Sequence, residues 1–94
     1  MNLRLTVSYD GTGFRGWARQ PGLRTVEGAI SSALDERYGS WHGLVAAGRT
    51  DTGVHALAQV VSVHVAGGPP PANAAVALTT ALPEDVVVLD AAAN

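Results

Sequence analysis

Residues 2–10 alternate strictly between apolar and polar side chains. Leu3, Leu5, Val7 and Tyr9 fall on one side of an extended chain; Arg4, Thr6, Ser8 and Asp10 fall on the other. A period of two cannot form one face of a helix and predicts a strand with one buried face. Such a strand needs partners for its backbone and a cover for its apolar side. The remainder of a 94-residue chain, the length of one domain, must provide both.

The segments that follow supply them. Residues 10–24 carry Asp-Gly-Thr-Gly and Gln-Pro-Gly, two turn signals, and predict a long irregular loop. Thr25 is placed to N-cap a helix, with Glu27 in its first turn. Val26, Ala29, Ile30, Ala33, Leu34 and Tyr38 recur at helical spacing, and Gly39 ends the run. Leu44 to Ala47 reads as a short buried strand, and Leu57, Val61, Val63 and Val65 share one face of another. Asn73 is placed to cap a second helix through Leu82, closed by Pro83, and Val86 to Leu89 reads as the last strand. Residues 90–94 carry no signal of their own. The order β-α-β-β-α-β is the ferredoxin-like split βαβ, an α+β fold. It predicts an antiparallel sheet with two helices on one face and the other face open.

Composition narrows the chemistry. The chain has no cysteine, and its histidines at 42, 55 and 64 lack a zinc spacing, so no metal site is expected. No signal peptide and no apolar run long enough to span a bilayer is visible, which makes the cytoplasm the default location. A net charge of −2 taken alone argues against nucleic acid. The distribution argues for it: all six basic residues are arginine, and Arg15, Arg19 and Arg24 lie in a stretch, Gly11 to Val26, that contains no acid. Phe14 and Trp17 in the same stretch are either loop anchors or platforms for a base.

The run Gly48-Arg49-Thr50-Asp51-Thr52-Gly53-Val54-His55-Ala56 sets one carboxylate in a glycine-bracketed turn beside a cation. Arg49 keeps Asp51 ionised at neutral pH. On spacing alone Asp51 is a nucleophile, a base or a structural cap. Arg49 either locks Asp51 or reaches a phosphate or base, and His55 hydrogen-bonds within the loop.

Four blocks together carry a resemblance. They are Tyr9 to Trp17 with Arg19-Gln20-Pro21, Arg24-Thr25-Val26-Glu27-Gly28, the Asp51 run, and Ala81-Leu82-Pro83-Glu84-Asp85-Val86. In order and spacing the chain resembles the amino-terminal half of a tRNA pseudouridine synthase of the TruA family. The resemblance implies isomerisation of uridine to pseudouridine in the anticodon stem-loop of tRNA, without cofactor or metal. It assigns the essential aspartate to Asp51, attacking base or sugar. Arg49 falls on the arginine that helps hold or replace the extruded base, and Arg15, Arg19, Gln20, Arg24 and His55 fall on RNA-facing positions. Ala18 stands where many relatives carry a polar residue.

Residues 1–94 are then a single nucleophile-bearing domain, without the second domain that in this family adds a tyrosine against the uracil and a further basic residue. An isolated half-site is expected to be inactive, and the open sheet face to drive self-association; the family itself is homodimeric. A non-catalytic RNA-binding or assembly module on the same scaffold is the competing reading. It has no use for Arg-Thr-Asp in a fixed turn, and the predicted strands carry no aromatic pair for stacking bases. An acylphosphatase-like hydrolase shares the element order but lacks an evident asparagine partner for Arg15.

Overall fold

The computed structural model of the chain describes residues 1–16, 20–46 and 56–93. Its elements run β1 (Asn2–Tyr9), a short 3-10 turn (Gly11–Gly13), α1 (Val26–Arg37), β2 (Ser40–Ala46), β3 (Ala56–Ala66), α2 (Pro71–Ala81) and β4 (Val86–Ala93). The strands form one antiparallel sheet in the order β2-β3-β1-β4. This is the expected ferredoxin-like α+β arrangement.

The alternating strand lies in the interior of the sheet, paired on both sides. Leu5 is the Cα partner of Val61 in β3 and of Ala91 in β4. Leu3, Leu5, Val7 and Tyr9 are buried, as are Val61, Val63, Val65, Val86 and Val88 from the flanking strands. The side chain of Leu57, assigned to the same face, lies outside the described set. Val26, Ile30, Ala33 and Leu34 of α1, with Ala74 and Leu78 of α2, complete the core. Their spacing of three and four residues is what puts them on one side of each helix.

The opposite face is open. It presents Arg4, Thr6 and Ser8 of β1, Val60, Ser62 and His64 of β3, and Val87 of β4, all exposed or half-buried. Two β-bulges adjust its registers. Val7 pairs with Val88 but Thr6 with Asp90, which leaves Leu89 as the extra residue. His42 pairs with His64 but Val45 with Ser62, so Gly43 and Leu44 together oppose Val63. Gly43 takes φ +69° there, a left-handed conformation that a side chain would strain.

α1 begins as its sequence dictates. Thr25 is extended (φ −127°, ψ 158°), and its Oγ1 accepts a hydrogen bond from the Gly28 N–H at 3.2 Å. Thr25 is itself buried, so no water replaces that bond. Thr25→Ala is expected to cost about 1 kcal/mol, read as a lower urea midpoint at unchanged slope.

Three boundaries differ from expectation. α2 begins at Pro71, with Pro70 as a cap that makes no side-chain hydrogen bond, so Asn73 lies in the first turn rather than at the cap. Proline at the first helical position has its φ preset and lacks only an N–H that a helix start leaves unpaired. β2 spans Ser40–Ala46 rather than 44–47, and it is a half-exposed edge strand rather than a buried one. Its single neighbour, β3, leaves one side and much of one face to solvent. β4 continues to Ala93, because Ala91, Ala92 and Ala93 pair with Leu5, Arg4 and Leu3. Ladder bonds to the central strand override alanine's weak preference for extended backbone.

Candidate active-site end of the sheet

Tyr9, the last residue of β1, is the Cα partner both of Ala56, the first residue of β3, and of Val86, the first residue of β4. Three connections therefore meet at one end of the sheet. The arginine-bearing loop leaves from Tyr9, the segment containing Asp51 ends at Ala56, and the turn after α2 ends at Val86. The Asp10 N–H extends this junction by donating to the Asp85 carbonyl at 3.0 Å. Arg19, Arg49, Asp51, His55 and Trp17 lie outside the described residues, so only the anchors of their segments are placed.

Within the described part of the loop, Arg24 is the organising residue. Its Nη1 and Nη2 donate to Oδ2 and Oδ1 of Asp85, both at 3.0 Å, in a two-pronged pair. Nη1 also donates to the Gly13 carbonyl at 3.1 Å, and the guanidinium lies 4.0 Å from the centroid of the Phe14 ring. Phe14 is buried at 1% exposure, which makes it an anchor of the loop and not a platform for a base. The chain on either side is stitched by backbone. The Arg15 N–H donates to the Arg24 carbonyl at 2.7 Å and the Val26 N–H to the Gly16 carbonyl at 3.3 Å.

Gln20-Pro21-Gly22-Leu23 forms the turn its sequence signals. The Leu23 N–H donates to the Gln20 carbonyl at 3.2 Å, and Gly22 has φ +73°. Proline at the second position and a left-handed glycine at the third are what a type II turn selects. Gln20 and Pro21 line an open groove of about 520 Å³, together with Thr25, Gly28 and Ser32 at the start of α1 and Pro83 after α2. Arg15 and Gln20 are exposed, with side chains accessible to a ligand.

The stretch that is free of acids in sequence is not free of them in space. Asp85, 61 positions away, neutralises Arg24. Nothing local in the sequence links Asp85 to Arg24. The hydrogen bond from Arg24 holds the Asp85 carboxyl below its ordinary value of 3.8, against the opposing effect of desolvation. The same bond raises Arg24.

A carboxylate with a depressed folded pKa stabilises the fold above its unfolded value. That contribution is lost as pH falls through the lower folded value. The pair is partly solvated, at 48% and 28% side-chain exposure, so screening limits it to about 1 kcal/mol. Asp85→Asn is expected to lower stability by about 0.5–1 kcal/mol at neutral pH. The gap should close below pH 3.8, as read by urea midpoints at neutral and strongly acidic pH.

Known proteins match nearly the whole chain. A family model described as tRNA pseudouridine synthase matches residues 5–94. A tRNA pseudouridine synthase A from Caldicellulosiruptor saccharolyticus is 42% identical over 91 residues, covering 97% of this chain and 37% of that protein. One from Brachyspira hyodysenteriae is 43% identical over 91 residues, covering 96% and 36%. One from Chlorobium phaeovibrioides is 56% identical over 62 residues, covering 65% and 26%. The chain thus spans little more than a third of the length of the first two of these relatives.

Proposed function

The chain belongs to the tRNA pseudouridine synthase family, and from that premise we propose that it is the domain of such an isomerase that carries the nucleophile, Asp51. The observation that carries this reading is the meeting of three connections at Tyr9, Ala56 and Val86. An aspartate in the segment ending at Ala56 and an arginine-rich loop leaving from Tyr9 have adjoining anchors. One end of one sheet then anchors both the segment that carries the carboxylate and the loop that carries the arginines.

The reaction needs little else from the chain. The C1′–N1 glycosidic bond of uridine breaks, a C1′–C5 bond forms, the C5 hydrogen leaves as a proton and N1 gains one. Asp51, ionised at neutral pH, attacks the base or the sugar and leaves at the end, so no redox cofactor is consumed. The target must leave the base stack before its C5 edge is accessible, and Arg49 holds the place of the extruded base. Arg15, Arg19, Gln20 and His55 bind RNA. Arg24 belongs to the same RNA-binding set, and its bond to Asp85 fixes the path of the loop that presents Arg15.

The substrate we propose is the anticodon stem-loop of tRNA, met in the cytoplasm. The 94 residues provide one wall of the cleft, and turnover requires the part of the longer relatives that this chain does not match. Self-association through the open face, where Val45, Val60 and Val87 are exposed, would cover that face.

The test is tritium release from tRNA labelled at uridine C5 by the whole protein that contains this chain. Release is expected from tRNA with native stem-loop uridines. None is expected when those uridines are replaced by cytidine. Equal release from both substrates would reject the stem-loop as the target.

A further inference from the structure

Two histidines stand directly opposite each other on the open face of the sheet, away from the end where Tyr9, Ala56 and Val86 meet. His42 of β2 and His64 of β3 are Cα partners, both exposed, with ring centroids 4.8 Å apart and planes tilted by 34°. Directly opposed residues on antiparallel strands keep their Cβ atoms about 4.5–5.5 Å apart, so the backbone holds the two imidazoles within reach of each other. The bulge at Gly43, immediately after His42, pins this register.

We propose that His42 and His64 form a two-imidazole chelate for a borderline divalent transition-metal ion of the Cu²⁺, Ni²⁺ or Zn²⁺ class. The ring separation suits one ion. With metal–nitrogen bonds of about 2.0 Å, two bound imidazole centroids lie about 4.5 Å apart at a right-angled site and about 5.2 Å apart at a tetrahedral one. The observed 4.8 Å falls between these.

Among the described residues no group of three or more His, Cys, Asp or Glu gathers, so water fills the remaining positions. With two nitrogen ligands and solvent, copper is bound more tightly than nickel. Magnesium, which requires oxygen ligands, is refused. The bound ion would tie the edge strand β2 to β3 across the sheet.

Isothermal titration of the 94-residue chain with CuCl₂, NiCl₂ and MgCl₂ tests this. One equivalent of Cu²⁺ or Ni²⁺ is expected to bind, and no Mg²⁺. His42→Ala and His64→Ala should each weaken binding at least tenfold while leaving the circular dichroism unchanged, since both side chains are exposed. Copper should raise the melting temperature of the wild type and of neither variant. Wild-type affinity in either variant, or equally weak binding in all three chains, would overturn the proposal.

Discussion

Asp51→Ala is expected to reduce tritium release from C5-labelled tRNA by at least about 1,000-fold in the whole protein that contains this chain, with tRNA affinity changed less than about threefold. The size of the effect follows from loss of the attacking oxygen itself. Asp10 and Asp85, beside the end of the sheet where the Asp51 segment is anchored, are both engaged. Asp10 accepts the Thr12 N–H at 2.9 Å, and Asp85 is held by both terminal nitrogens of Arg24. Neither can take over the attack without giving up the bonds that shape the loop. Asp51→Asn should fail as fully as alanine, because an amide of the same shape is not a nucleophile. Turnover within tenfold of wild type in either variant would remove Asp51 from the mechanism. Loss of tRNA binding in step with turnover would make it a structural cap instead.

The largest effect on stability is expected at Leu5. This side chain is completely buried in the central strand, between β3 and β4, and packs in the single core that also holds both helices. Its Cα partner in β4 is Ala91, too small to move into a vacancy. Leu5→Ala removes the transfer free energy of the side chain and leaves a cavity lined by residues that are themselves locked in ladders. The cost should be about 3–4 kcal/mol. A chain of this length has about 5–14 kcal/mol in all, so the variant sits near the edge of folding. Val87→Ala on the open face of the same sheet should change stability by less than about 0.5 kcal/mol. Urea unfolding of both variants separates the cases, and a Leu5→Ala cost below about 1 kcal/mol would contradict the packing described.

The candidate site is legible in the sequence as a local pattern of residue types. The Asp51 run and the arginine loop stand out because turn-forming glycines, a carboxylate and cations at fixed spacing are a local pattern. The turn at Gln20-Pro21-Gly22-Leu23 was legible for the same reason, since φ preferences act within four residues. The pairing of Arg24 with Asp85 was not. It converts one of the three apparently unbalanced arginines into a tie between the loop and the turn after α2.

The sequence by itself determined the fold class, the buried face of β1 and the capped start of α1, and it sets a carboxylate, a cation and turn glycines together around Asp51. Each depends on a period of two or 3.6, or on backbone preferences that a few adjacent residues express. Tertiary structure alone decided that Ala91 to Ala93 form a strand, that β2 is an exposed edge, and that Asp85 neutralises Arg24. It also decided that His42 faces His64. Those outcomes depend on which strand lies beside which. Hydrogen-bond ladders and charge pairs act through space between groups that no spacing along the chain relates.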